Sequence, residues 1–367
     1  MKKILAVLLS FCFSSVSFAG EDVFFKLEKN NGNIVKASYV DPGFSVKKEG
    51  YAIGTYHAST KKYIVDVEGE SRSYIEFVQD GSYKNKDLII VLHGGGGSAD
   101  KMMKQTIFTD LAKSNNLVIL FLNAKDGQWN DGREKLEDIN DISFVRHLVP
   151  FYKEKDVNKI MVAGFSNGAI MGLRLACENI PNLNYFGIIS GSLPTNSVCK
   201  NPNNKNIIMV NGTNDNFVKW DGGEIPSGRE LGAGGYVVPV EKTLELWKTG
   251  NKCTQTRVDD IDINFSDESS VERESYKCEK GALSFFKING GGHTIPGGKT
   301  RATLSNMVGN TNKDISTERE LIKFLRNNKE PIPVIVEKVQ KVEPIKKVEP
   351  KKVVKKIKKK DVKKKSG

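Results

Sequence analysis

Three reactive residue types fall in one chain order, Ser166, Asp215 and His293, and each follows an apolar run. Ser166 sits in Gly164-Phe165-Ser166-Asn167-Gly168, after Ile160-Met161-Val162-Ala163 and before a helical pattern. A strand, a sharp turn and a helix at that spacing leave the serine Oγ exposed above a sheet, at a helix N-terminus that favours developing negative charge. Asp215 ends Gly212-Thr213-Asn214-Asp215 after the run Asn206–Asn211. His293 lies in Gly290-Gly291-Gly292-His293-Thr294 after the run Leu283–Ile288. A serine nucleophile, an imidazole base and a carboxylate that orients the base are the parts needed for acyl transfer through a covalent intermediate. Asp221 and the Asp259-Asp260 pair are the competing acids, whereas His57 and His147 lack comparable context and read as surface or satisfied polar groups.

Such chemistry also needs donors for an oxyanion. Leu88–Leu92 runs into His93-Gly94-Gly95-Gly96-Gly97-Ser98, a loop whose glycines let backbone N–H groups turn toward a substrate. The expected donors are the amides of the Gly94–Gly95 stretch and of Asn167, the residue after the nucleophile. His93 itself reads as a brace of that loop rather than as a base. The competing reading is a phosphate-binding loop, but no Gly-Lys-Ser/Thr follows the glycines. No Cys-x-x-Cys or Cys/His cluster suggests zinc, and the chemistry calls for neither metal nor cofactor.

The elements that must position these residues are legible as alternating patterns. Lys62–Val67 and Ser73–Val78 alternate about Gly69 and predict a hairpin. Continuous apolar runs at Leu88–Leu92, Leu117–Leu122, Lys159–Ala163, Tyr185–Ile189, Asn206–Asn211 and Leu283–Ile288 predict buried strands. Between them, Met102–Asn115, Ile139–Lys153 and Ala169–Asn179 have helical spacing. The fold class is therefore α/β: a mostly parallel central sheet with helices on both faces, and ligands bound beyond the carboxyl ends of its strands.

Composition narrows the function class. With 38% hydrophobic residues in 367, a sizeable core is available and global disorder is excluded. The net charge of +12 invites a nucleic-acid reading, but 14 lysines against five acids lie beyond Lys329, which leaves a nearly neutral body and no basic groove for nucleic acid. Met1-Lys2-Lys3, the apolar stretch Ile4–Phe18 and the Ser17-Phe18-Ala19 site before Gly20 have the layout of a cleaved Sec signal peptide. The mature chain is then expected to be periplasmic or secreted, with no transmembrane segment. Export leaves Cys177, Cys199, Cys253 and Cys278, which allow three pairings; the short-range one, Cys177–Cys199 with Cys253–Cys278, closes two modest loops and is the one expected.

The domain reading is thus a signal peptide over 1–19, an N-terminal extension over 20–60 that reads as an extra β segment or a loose arm, a catalytic domain over 61–329 and a Lys/Pro-rich tail over 330–367. The repeated Lys-Val-Glu-Pro units of the tail oppose a packed core and suit adhesion to anionic envelope polymers, or simple solubilisation.

Taken in order, Leu-His-Gly-Gly-Gly-Gly-Ser-Ala, Trp129-Asn130, Asp141-Ile142-Ser143-Phe144, Gly-Phe-Ser-Asn-Gly-Ala-Ile-Met, Leu175-Ala176-Cys177-Glu178, Asn-Gly-Thr-Asn-Asp and Gly-Gly-Gly-His-Thr-Ile-Pro-Gly-Gly resemble the secreted polyhydroxybutyrate depolymerase / feruloyl and acetylxylan esterase family. The resemblance covers about Lys62–Arg326 and implies an α/β-hydrolase fold with Ser166, Asp215 and His293 as its triad. It also implies Trp129 and Trp220 near the substrate pocket, an ester as substrate, and the short-range cysteine pairing. The sequence departs from that family at Asn211, where a His is usual, at Ile295, where a Trp is usual, and in its lysine tail. Within the resemblance the expected substrates are hydroxyalkanoate oligomers, or else feruloyl or acetyl esters on polysaccharide. A non-catalytic envelope-binding protein that works through its tail is the reading of another class.

Overall fold

The computed structural model describes residues 59–133, 139–228, 232–298 and 305–328, together with the backbone of four strands between residues 13 and 57. Residues 1–12 and 19–20, within the expected signal peptide and extension, and residues 330–367 of the expected tail lie outside the described residues.

In chain order, β1 (Phe13–Phe18), β2 (Glu21–Asn30) and β3 (Asn33–Val40) pair antiparallel as a three-stranded sheet. β4 (Gly50–His57) pairs with β5 (Thr60–Val67) and is the outermost strand of a second, eleven-stranded sheet. That sheet continues through β6 (Glu70–Phe77), β7 (Asp87–Leu92), β8 (Leu117–Leu122), β9 (Ile160–Phe165), β10 (Tyr185–Ile189) and β11 (Asn206–Gly212). Two short antiparallel ribbons follow: β12 (Gly223–Glu224) with β15 (Tyr236–Val237), and β13 (Ser227–Gly228) with β14 (Gly232–Ala233). β16 (Cys253–Ile261), β17 (Ser270–Cys278) and β18 (Ala282–Asn289) complete the large sheet. Its order is β16-β17-β18-β11-β10-β9-β7-β8-β6-β5-β4. The six strands from β18 to β8 run parallel, and antiparallel strands close both edges. This is the mostly parallel α/β sheet that the sequence predicts, with helices on both faces.

Burial explains why the parallel strands read as unbroken apolar runs. Leu88, Ile90 and Leu92 of β7 face one core cluster, and Ile89 and Val91 face the other. The first cluster is closed by α3 (Asp141–Glu154), α4 (Asn167–Cys177) and α5 (Val240–Asn251). The second is closed by α1 (Ala99–Gln105), α2 (Phe108–Asn115) and α7 (Thr317–Asn327). A short α6 spans Ser305–Val308. No helix among the described residues is long and apolar enough to cross a membrane.

The single helix expected over Met102–Asn115 is instead two. Thr106 turns its hydroxyl and its amide back onto the Met102 carbonyl, and the Ile107 amide that this frees is taken by the Glu318 carboxylate. Helix α7 is held at its other end by Lys159, which donates from Nζ to the carbonyls of Leu325 (2.8 Å), Arg326 (3.2 Å) and Asn328 (2.6 Å). Tyr185 adds its hydroxyl to the Asn328 carbonyl at 3.0 Å.

Both short-range cysteine pairs are joined, Cys177 at the end of α4 to Cys199, and Cys253 of β16 to Cys278 directly across on β17. They close loops of 22 and 25 residues, each of which should be worth about 3 kcal/mol by chain entropy. Cys177→Ala/Cys199→Ala is therefore expected to lower unfolding free energy by roughly that amount in urea, with m raised as the unfolded chain expands. An unchanged midpoint would show that the α4 end is held without the bond.

Candidate active site

Ser166 closes the turn between β9 and α4 with φ 56° and ψ −123°, a conformation that side chains rarely adopt. Its amide donates to the Ile189 carbonyl at 2.9 Å, and its carbonyl accepts the Ala169 and Ile170 amides at 2.8 and 3.0 Å. The two glycines of the turn are required by space. A Cβ on Gly164 would lie 2.0 Å from the Gly168 carbonyl oxygen, and one on Gly168 would lie 2.5 Å from the carbonyl oxygens of both Leu92 and His93.

Two loops bring the base and the acid to this turn. The loop after β11 and the loop after β18 are stitched by Thr213 N to Ile288 O, Asn214 N to Gly291 O and Gly290 N to Thr213 Oγ1, each at 2.9 Å. His293 Nε2 lies 2.8 Å from Ser166 Oγ, and His293 Nδ1 lies 2.8 Å from Asp215 Oδ2. An ionised carboxylate only accepts, so Nδ1 carries the proton and Nε2 is free to accept from the serine. The other oxygen of Asp215 accepts the Phe217 and Val218 amides, both at 2.8 Å, which fixes the carboxylate in place. Asp259, one of the competing acids, is engaged instead by Arg257 and Arg273 on the β16–β17 hairpin.

No sequence motif pointed to the walls of the histidine. The rings of Phe165 and Phe217 lie on the imidazole at centroid distances of 5.0 and 4.9 Å. Phe165 belongs to the serine turn itself. Phe217 lies two residues past Asp215, where only the paired loops make it a neighbour.

The glycine loop abuts the serine: a Cβ on Gly94 would lie 3.2 Å from that of Ser166. Asn167 is the first residue of α4, so its amide has no partner within its own helix. Gly94 and Asn167 thus flank Ser166. His93 is buried and braces the loop. Its Nδ1 donates to the Gly94 carbonyl at 2.7 Å, and its Nε2 accepts the Ala124 amide at 3.1 Å. Burial pushes its pKa down to about 4.

The unfolded imidazole titrates near 6.5. Between these values the unfolded chain binds a proton that the folded one refuses, so this stabilisation is complete above pH 6.5 and is lost as pH falls through 4. The loss should be about 3 kcal/mol. His93→Gln should flatten the pH dependence of unfolding free energy in this window. An equally steep variant would place the acid sensitivity elsewhere.

Trp129, expected near the pocket, is fully buried behind the glycine loop. Its indole N–H donates to the His93 carbonyl at 2.8 Å, and its ring lies 5.1 Å from that imidazole. It therefore supports the loop and does not line the pocket. The Asp141-Ile142-Ser143-Phe144 motif works one layer further back. Asp141 is paired with Arg72 and accepts the Asn130 amide at 2.6 Å, while Arg174 of α4 donates to the Asn130 carbonyl at 2.7 Å. Asn211 donates to the Gly191 carbonyl at 3.0 Å. Trp220 is half-buried and lines a cavity of about 520 Å³ beside Asp215, with Asn214, Asn216, Lys219, Asp221 and Asn310.

No family model matches the sequence. The chain is similar to a protein described as "Putative esterase NocK" from Nocardia uniformis subsp. tsuyamanensis, 25% identical over 288 residues, covering 73% of this chain and 83% of that one. Among solved structures, an acetyl xylan esterase from Aspergillus awamori aligns over 75% of this chain and 99% of its own, with a TM-score of 0.44 and 12% identity. The LpqC poly(3-hydroxybutyrate) depolymerase from Bordetella parapertussis aligns over 53% of this chain and 79% of its own, with a TM-score of 0.37 and 14% identity.

Proposed function

We propose that this chain is an exported serine esterase, a carboxylic ester hydrolase that acts through Ser166, His293 and Asp215. The observation that carries the reading is the unbroken relay from Ser166 Oγ through both imidazole nitrogens to Asp215, at 2.8 Å per link, with the Gly94 loop and Asn167 on either side of the serine.

The steps follow from that geometry. His293 Nε2 takes the Ser166 proton as Oγ attacks the ester carbonyl, and Asp215 stabilises the imidazolium that forms. The carbonyl oxygen becomes an oxyanion, held by the amides of the Gly94–Gly95 stretch and Asn167, each worth on the order of 3 kcal/mol in such sites. Nε2–H then protonates the leaving alcohol. A water molecule, deprotonated in turn by His293, attacks the acyl-enzyme and releases the acid and free Ser166. The Phe165 and Phe217 rings restrict the imidazole to the plane in which both hydrogen bonds are made.

For the substrate, the motif resemblance points to hydroxyalkanoate oligomers. Feruloyl or acetyl esters of polysaccharide are a second reading, favoured by the Trp220 cavity with its amide-bearing and charged walls. The Sec-type leader carries the assignment to periplasm or exterior, and the lysine tail suits an anionic envelope polymer. Short p-nitrophenyl esters, a hydroxybutyrate trimer, methyl ferulate and acetylated xylan, each assayed with wild type, would decide. A best substrate among them names the class, and no turnover on any by a folded protein would favour the envelope-binding reading.

A further inference from the structure

We propose that Asp131 and Arg133 are positioning residues for the backbone amide of Asn167. The inference rests on the esterase reading of Ser166 and extends it to two residues that no motif singled out.

Asn167 is buried, and its carboxamide is fixed on three sides. Oδ1 accepts the Trp129 amide at 2.8 Å, while Nδ2 donates to the Trp129 carbonyl at 3.0 Å and to Asp131 Oδ2 at 2.5 Å. Only one amide orientation satisfies an N–H on one side and two acceptors on the other. The side chain therefore locks Cα and Cβ of the residue whose N–H faces the oxyanion, directly after the strained Ser166.

Asp131 cannot do this alone, because a lone buried carboxylate is costly. Arg133 compensates it: Nε lies 3.0 Å from each carboxylate oxygen, and Nη2 lies 2.7 Å from Oδ2. Asp131 is 0% and Arg133 4% exposed, so the pair works away from water, where its attraction is little screened. The remaining guanidinium nitrogen, Nη1, donates to the Gly234 carbonyl. Gly234 stands just before β15, and β15 packs Val237 with Ile225, Val218 and Ile170. Ile170 belongs to α4, and the Val218 amide holds Asp215. The strand segment that Arg133 grips thus touches the serine helix and the acid loop as well. The pair ties the oxyanion amide to the rim of the site.

The test is the kinetics of Asp131→Asn and Arg133→Lys on a p-nitrophenyl ester. Rates are expressed per active site titrated with a fluorophosphonate. A trifluoromethyl ketone, which adds to the serine as an oxyanion, reports on the amides directly. Asp131→Asn is expected to lower kcat about tenfold with KM within about twofold, and to weaken the ketone in parallel, since a displaced donor acts in the transition state and not in the ground state. Arg133→Lys keeps a cation beside Asp131 and should show the same split in smaller measure; it decides the matter if Asp131→Asn does not fold. A lower melting temperature with kcat per titrated site and ketone affinity unchanged would overturn the proposal and leave a merely structural pair. Absence of turnover and of fluorophosphonate labelling in wild type would instead overturn the esterase reading, and this inference with it.

Discussion

Ser166→Ala is expected to reduce ester hydrolysis by about 10⁵-fold, because a triad acts as a unit and loses nearly everything with its nucleophile. The residual rate comes from bound substrate and the oxyanion amides, which the substitution leaves in place. Folding should hardly change. The turn is fixed by backbone bonds from Ser166 to Ile189, Ala169 and Ile170, all of which alanine retains. Alanine also carries the same Cβ at φ 56° and so the same strain. Melting within about 2 °C of wild type, with hydrolysis lost, would isolate the chemistry from the scaffold. Retained Ser166-independent hydrolysis would move the nucleophile elsewhere.

A large loss of stability is expected from Gly168→Ala, two residues along the same turn. Its Cβ would meet two backbone carbonyl oxygens, Leu92 and His93, at 2.5 Å, and neither is the yielding end of a side chain. Either α4 must lift from the end of β7 or the glycine loop must be displaced. Overpacking against backbone in a closed core should cost about 3 kcal/mol or more. For a domain of this size that corresponds to a drop of about 5 °C in Tm. Activity should fall with it, since the displaced loop carries the Gly94 amide. Wild-type melting and turnover together would show that the turn is not closed against β7. Ser166→Ala and Gly168→Ala are thus opposite in kind, one removing an atom that reacts and the other adding an atom that does not fit.

The central strands and the Ser166, Asp215 and His293 order were legible because both signals are local. A strand buried on both faces must be apolar at every position, and a strand-to-helix turn that presents a serine needs small neighbours at fixed offsets. Trp129 was misplaced for the opposite reason. Tryptophan suits a pocket wall and a buried brace equally, and only the His93 carbonyl seated on its indole N–H separates them. Phe217 and the Asp131–Arg133 pair were invisible because their partners lie 76 and 36 residues or more away in the chain. The β16–β17 hairpin escaped because it is an exposed edge whose residues are mostly polar, so it shows neither apolar alternation nor a continuous run. The break at Thr106 depends on a carboxylate 211 residues distant.

The Lys159 clasp has a mechanical consequence. The ammonium group and the Tyr185 hydroxyl grip the last carbonyls before the chain departs toward its lysine-rich end, and both residues stand at the amino-terminal starts of β9 and β10. Any pull on the chain beyond Asn328 is therefore delivered to the two middle strands of the sheet and not to an edge that could peel. Ser166 stands at the far end of one of those same strands. The carboxyl end of α7 and the serine turn are thus the two ends of one tie through the middle of the sheet.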